Sequence, residues 1–182
     1  MASKARNSMS FFARFRRARS GATAVEFALI AAPFIALLFG ILELGMVFMV
    51  STTLDNATDT AARKIRTGQF QLAGGGTAAT FKTQICNNMA FLGPSCATKL
   101  HIDVRTYPKF ADVAAIDPTT KGAFDDKKTT FVPGGPEAIV VVRAYYEWTL
   151  ITPMLNEGLE TLSGGKRLIS STATFRNEPY TS

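Results

Sequence analysis

One apolar run near the N-terminus limits this chain to folds that associate with a membrane. Residues 27–50 are apolar except for Glu43. At about 1.5 Å per residue, a helix over this run would be roughly 36 Å long, enough to cross a bilayer with some tilt. A cleaved secretory signal has an apolar region of only about 7–15 residues followed by small residues. Because residues 27–42 already provide 16 uncharged positions, we predict a transmembrane helix instead.

The positive charge of the chain is concentrated before this run. Of the 20 lysines and arginines, six precede Gly21 without any acidic residue, which leaves 14 basic and 14 acidic residues in the rest. The six are Lys4, Arg6, Arg14, Arg16, Arg17 and Arg19. A basic protein often binds nucleic acid, but basic residues beside a membrane span act as a topology signal. We therefore predict no nucleic-acid binding, a cytoplasmic N-terminus and an outer C-terminal domain.

Small residues recur every four positions along the predicted helix. They are Ala24, Ala28, Ala32, Ala36 and Gly40. In lipid, small residues at this spacing let a second helix approach closely. An alanine-rich apolar run also produces such a row by chance, so helix packing is one of two interpretations.

Glu26 directly precedes the apolar run and Glu43 interrupts it near its outer end, where a carboxylate is costly. Glu26 could serve in processing or assembly, or it could reach the cytoplasmic interface and pair with Arg19. Glu43 lies near the outer interface, where it could form a subunit contact or remain a wetted interfacial carboxylate. Both alternatives stay open for each residue.

The helical pattern continues past the membrane, and strand patterns follow it. Apolar residues recur at helical spacing up to Ile65, and Gly68 is a suitable helix stop, so we predict one helix over residues 25–67. A short helix is predicted over 80–90, and strands over 99–107, 138–150 and 167–175. The expected fold is α+β, with an antiparallel sheet of about three strands laid on the long helix. The predicted parts are a basic leader (1–21), the long helix (22–67) and an outer domain (68–182).

The two cysteines, Cys86 and Cys96, both fall in the predicted outer domain. An oxidising compartment favours a disulfide between them, with Gly93-Pro94 as a turn in the enclosed loop. Free thiols and metal ligation are the alternatives, but no other ligand type clusters nearby.

Motifs for catalysis are absent from the sequence. His101 is the only histidine and lies in a predicted strand, where a structural role is expected. No G-x-S-x-G nucleophile motif occurs, and residues 163–167 lack the spacing of a phosphate-binding loop. We predict no enzymatic activity, no cofactor and no metal site.

The N-terminal segment resembles a known processing signal. The run from Gly21 through Ala22 to Glu26 and Phe27 is similar to the class III signal of type IV prepilins. Residues 21–45, together with the ending 170–180, resemble the TadE-like proteins of the tight-adherence (Flp/Tad) pilus system. This resemblance implies cleavage by a prepilin peptidase between Gly21 and Ala22, with Glu26 five residues into the mature chain.

From this resemblance we expect a minor pseudopilin that takes part in assembly of an adhesive pilus. Its expected partners are the prepilin peptidase, pilin and other minor pseudopilins, the inner-membrane assembly platform and the lipid bilayer. The expected location is the bacterial inner membrane, as a single-pass protein with a periplasmic C-terminal domain, or incorporated into a surface pilus. The alternative is an unprocessed bitopic envelope protein whose outer domain binds a ligand or tethers a partner. An envelope hydrolase is a third and weaker hypothesis.

Overall fold

The structure, a computed structural model, describes residues 20–74, 76–152 and 156–181. The basic residues of the predicted leader, up to Arg19, lie outside these ranges. The chain divides into two compact units, one ending at Leu42 and the other running from Glu43 to Ser182. The division lies inside the predicted helical segment 22–67, because the outer turns of that helix pack within the second unit.

The first element within the described residues is a long helix, α1, Ser20–Arg66. The sequence predicted its end to within one residue. Gly21–Arg66 has the length and composition of a membrane-spanning helix, and its most apolar window has a mean hydropathy of 2.4 and no buried residue. Helix α1 ends where Gly68 adopts the left-handed conformation, with φ of 76°, because glycine pays no Cβ penalty there.

The second unit contains the predicted three-stranded antiparallel sheet. Its strands are β1 (Leu100–Tyr107), β4 (Ile139–Thr149) and β5 (Lys166–Arg176). The spatial order is β1-β4-β5, and Val142 pairs with Val104 on one side and Ala173 on the other. The central strand, β4, is the most apolar of the three in sequence, as expected for a strand that pairs with a neighbour on each side. The α+β prediction is confirmed.

The core lies between the sheet and the outer turns of α1. The helix contributes a stripe with three- and four-residue spacing, of which Leu54, Ala61 and Ile65 are fully buried. The sheet contributes alternate residues, including Val104 and Val142. Burial of each Leu, Ile or Val side chain is worth about 1.5–3 kcal/mol. This core is what holds the sheet on the helix.

Shorter elements complete the unit. They are α2 (Gln69–Leu72), α3 (Ala78–Asn87), α4 (Gly93–Lys99), α5 (Asn156–Leu159) and a two-residue hairpin of β2 (Thr119–Thr120) and β3 (Ala123–Phe124). The sequence predicted α3 but placed a turn at Gly93-Pro94, where the structure begins α4. Proline lacks an N–H and has a helical φ, so it is tolerated in the first turn of a helix.

Candidate membrane and assembly site

The first turns of α1 carry the predicted processing residues. Gly21 is partly exposed and Ala22 is exposed on the helix surface. Glu26 is exposed, and Phe27 next to it is 72% exposed. Within the described residues, the Glu26 carboxylate makes no hydrogen bond or ion pair; the alternative partner, Arg19, lies outside those residues. Both side chains are therefore available to an external partner.

The row of small residues forms an open strip on α1. Ala24, Ala28 and Ala32 are exposed, and Ala36 and Gly40 are partly exposed. A shallow concavity follows the first part of the strip, between Gly21 and Pro33. Short side chains leave the helix backbone close to the surface along this strip, which is what close packing of a second helix requires; the packing itself stays a prediction.

Glu43 makes a contact within the chain that neither alternative from the sequence included, while the subunit contact stays a prediction. The residue is only 2% exposed, so it is not a wetted carboxylate. Its Oε2 accepts hydrogen bonds from the backbone N–H groups of Ile151 and Thr152, both 2.9 Å long, and from the Thr152 hydroxyl at 3.1 Å. Its Oε1 accepts a longer bond of 3.4 Å from the indole N–H of Trp148.

The donors for Glu43 come from the end of β4 and the residues directly after it. β4 stops at Thr149, and the N–H of Leu150 still donates to the Gly165 carbonyl. The N–H groups of Ile151 and Thr152 lie beyond this pairing and must find other acceptors. A carboxylate with several lone pairs satisfies them, and they in turn satisfy the charge. Glu43 therefore joins α1 to the exit of the central strand.

Sequence reasoning missed this role of Glu43. A carboxylate inside an apolar run requires nearby hydrogen-bond donors. This rule could have predicted that Glu43 has partners within the protein. The identity of those donors was hidden because they lie 105–109 residues further along the chain.

The C-terminal ending, which carries part of the family resemblance, folds back onto the end of α1. The backbone N–H of Glu178 donates to the Arg66 carbonyl at 2.8 Å, and the side chains of the two residues lie 3.5 Å apart. Asn177 is buried and its side-chain amide donates to the carbonyls of Pro133 and Gly135. The C-terminal ending is thus hydrogen-bonded to the end of α1 and to the 133–135 loop within the second unit.

The last aromatic residue of this ending covers Gly68. A Cβ atom added at Gly68 would lie 2.5 Å from ring atoms of Tyr180. Partial burial of the Tyr180 hydroxyl raises its pKa above the ordinary value of a tyrosine. Gly68 is therefore needed both for its backbone conformation and for the approach of this ring.

The two cysteines form a disulfide, as the sequence predicted. Cys86 near the end of α3 is bonded to Cys96 in α4, with Cα atoms 5.5 Å apart. Cys96 is fully buried in the core. The bond fixes the two short helices against each other at the edge of the core.

His101 has a structural environment. Its Nδ1 lies 2.8 Å from Asp126 Oδ1, and its ring stacks on Phe124 at 3.9 Å between centroids. Its Nε2 lies 3.3 Å from Glu147 Oε1, without the geometry of a hydrogen bond. Nearby, the carboxylate of Asp125 accepts from Thr120 and from the Lys127 N–H, which lowers its pKa. These contacts hold the hairpin loop on the outer face of the sheet.

A buried charge network lies on the same face. Asp103 binds Arg143 at 3.2 Å and Arg105 at 2.9 Å, and it accepts from the backbone N–H of Thr130. Arg143 also donates to the Ala114 carbonyl at 2.7 Å. Because the charged groups of this network pair with one another and with backbone groups of Ala114 and Thr130, the network anchors these two loop residues over β1 and β4. Across the residues that the structure describes, no three His, Cys, Asp or Glu side chains form a group that could hold a metal ion.

Comparison with known proteins finds a match to part of the N-terminal helix. Residues 21–63 match the family model described as TadE-like protein. Neither the curated proteins nor the solved structures include a match to this chain. The matched region begins at Gly21 and covers the open strip, Glu26 and Glu43, but not the C-terminal ending. Over residues 21–63 the chain is TadE-like, consistent with a protein of the Tad pilus system.

Proposed function

We propose that this protein is a minor pseudopilin that takes part in assembly of an adhesive Flp/Tad-type pilus. The observation that carries the proposal is the family match, which begins at Gly21, directly at the end of the basic leader. The surface of this segment supports it, since Glu26 and most of the small-residue strip are exposed. The proposed location is the inner membrane, with the leader in the cytoplasm and the second unit in the periplasm.

The proposed mechanism begins with removal of the leader. Cleavage after Gly21 by a prepilin peptidase would create an α-amino group on Ala22, with a reference pKa of about 7.7–8.0. This cation would then lie at the membrane surface near carboxylates of neighbouring subunits. Pairing of the Ala22 amine of one subunit with Glu26 of another would set the register between their helices, and the small-residue strip would let the helices pack closely.

We propose a structural and interaction role for the second unit rather than catalysis. The environment of His101 supports this, because its Nδ1 lies 2.8 Å from Asp126 in the loop after β3 and its Nε2 lies 3.3 Å from Glu147 of β4. The second unit would act as a cap or contact surface once α1 is incorporated. The proposed partners are the prepilin peptidase, pilin, other minor pseudopilins and the assembly platform.

The second candidate is an unprocessed bitopic envelope protein whose outer domain binds a ligand or tethers a partner. It is favoured by the shape of the second unit's outer face, which has a concavity of about 320 Å³ between the 113–116 loop and β4–β5. N-terminal sequencing separates the candidates, because only the pseudopilin begins at Ala22.

The cleavage prediction is tested with two glycine variants in cells that also produce the peptidase. We expect Gly21→Leu to leave the precursor uncut, because a bulky residue would block the scissile position. Gly45→Leu is the matched control, since Gly45 lies on the same helix and also has open space around it; it should be processed normally. An unprocessed terminus on the unmodified protein would exclude the pseudopilin role.

The role of Glu26 is tested by Glu26→Gln as the only copy of the protein. Gln keeps the size and one acceptor oxygen but removes the charge, so we expect cleavage to persist and piliation to fall sharply. Loss of one partner from a desolvated pair costs up to about 3–5 kcal/mol, whereas a water-exposed pair contributes only about 0–1 kcal/mol. Asp55→Asn, an exposed acid on the same helix, should leave piliation unchanged. Normal piliation with Glu26→Gln would rule out the ionic assembly contact.

A further inference from the structure

The position of Glu43 along α1 indicates its depth in a membrane. The hydrocarbon core of a bilayer is about 30 Å thick, which corresponds to about 20 helical residues. Counting from Phe27, the first residue after Glu26, the apolar core would extend to about Met46. Glu43 is the only charged residue between Phe27 and Leu54. Its carboxylate therefore belongs to the region where unsatisfied polar groups are not tolerated.

The structure shows how this carboxylate is protected from lipid. Glu43 is enclosed by the end of β4 and the residues after it, which supply two backbone N–H groups and a hydroxyl within 3.1 Å. Since hydrogen bonds this short fix their donors to the acceptor, Ile151 and Thr152 must lie at the depth of the Glu43 carboxylate. The exit of the central strand thus reaches the level of the outer leaflet.

The side chains around this contact have the character of a membrane-facing surface. Ile151 is 65% exposed, although its backbone N–H is held by Glu43. On α1, Leu44 follows Glu43 directly and Phe48 lies one turn further on; both are more than half exposed. Trp148, whose indole N–H reaches Glu43, is of the type enriched at the interface between lipid and water. Exposed apolar side chains thus occur on α1 next to Glu43 and at the strand exit that Glu43 binds, and such side chains suit lipid better than water.

We propose that Leu44, Phe48 and Ile151 form a lipid-contact patch by which the second unit is seated in the outer leaflet of the membrane. Glu43 is the positioning residue of this patch, because its hydrogen bonds hold Ile151 and Thr152 at the depth of its own carboxylate. The patch would restrict the orientation of the second unit relative to the bilayer. The proposal rests on the membrane span and on its proposed orientation, and it is independent of a role in pilus assembly.

A spin-label experiment on the full chain tests the patch. A nitroxide is attached to Ile151→Cys in vesicles of phosphatidylethanolamine and phosphatidylglycerol; the natural cysteines are bonded to each other, so only the new thiol reacts. Collision rates are measured with oxygen, which partitions into lipid, and with a water-soluble nickel complex. Val132→Cys, another exposed apolar position of the second unit, is the matched control.

We expect the Ile151→Cys label to collide mainly with oxygen and the Val132→Cys label mainly with nickel, with ratios differing by about tenfold or more because water is excluded from the hydrocarbon region. A nickel-dominated signal at Ile151→Cys would overturn the proposal. Protection from both reagents that disappears when the protein is diluted with lipid would also overturn it, because the patch would then bind a second copy.

A second measurement uses the unmodified protein, so that the outcome does not depend on a variant folding. Trp148 is the only tryptophan of the chain, and its fluorescence reports directly on the Glu43 contact. We expect quenching by lipids brominated near the top of the acyl chain and shielding from aqueous iodide. Strong iodide quenching without an effect of the brominated lipids would contradict the proposed depth.

Discussion

Replacement of Glu43 by alanine should destabilise the second unit substantially. Two backbone N–H groups donate to Glu43 Oε2 at 2.9 Å, and a hydrogen bond to a charged group is worth about 1.5–3 kcal/mol. Together they contribute roughly 3–6 kcal/mol, and the hydroxyl and indole bonds are longer. Removal of the carboxylate also relieves its own desolvation cost. We therefore expect a net loss of about 3 kcal/mol in the free energy of unfolding.

This loss is measurable as a change in melting temperature. For a unit of the size of residues 43–182, 1 kcal/mol corresponds to a shift of about 3–4 °C, so Glu43→Ala should lower Tm by about 10 °C. Thermal unfolding is followed in detergent by the near-ultraviolet circular dichroism of Trp148. Glu43→Gln should show a smaller decrease, since its carbonyl still accepts from the backbone while its amide faces the indole N–H.

The matched control is Glu26→Ala, which removes a carboxylate of the same helix that makes no interaction within the described residues. Its Tm should equal that of the unmodified protein. If Glu43→Ala melts at the same temperature as Glu26→Ala, the carboxylate does not hold the strand exit, and the depth argument built on it fails as well.

Two further changes test the packing of the second unit. Gly68→Ala should cost more than Gly164→Ala, because both glycines have positive φ but only at Gly68 does the added Cβ also meet the Tyr180 ring; equal melting temperatures would show that the ring moves away freely. Reduction of the bond between Cys86 and Cys96 should lower the free energy of unfolding by up to about 3 kcal/mol, from the loop entropy of the unfolded chain, as measured by urea unfolding with and without reductant; coincident curves would refute this.

The main elements could be predicted from sequence because their signals are local. The apolar run and the stripe ending at Ile65 predict α1, and β-branched or alternating residues predict β1, β4 and β5. The end of α1 was predicted because Gly68 can adopt positive φ at no steric cost. The disulfide was predicted from the compartment and the short spacing of the two cysteines. Each of these inferences needs only neighbouring residues and one general rule.

The predicted processing residues could also be identified from the sequence alone. Gly21, Ala22 and Glu26 lie within one short linear signal. The structure adds that Glu26 is exposed and makes no hydrogen bond or ion pair within the described residues, and that the small-residue strip is exposed or partly exposed. That exposure is what an intermolecular role requires. Cleavage and assembly stay predictions for the experiments above.

The tertiary structure alone decided what Glu43 does. From the sequence, the residue was a carboxylate at the end of a span with two equally good interpretations. Its donors lie 105–109 residues away, and the two backbone N–H groups among them are free to bind it because the sheet pairing of β4 ends before them. Likewise, the contact of Tyr180 with Gly68 depends on the C-terminal ending folding back to α1. Periodicity and spacing report which local structure a segment prefers, whereas the partner of a buried polar group is determined by the packing of distant segments, where an unpaired group would be too costly to retain.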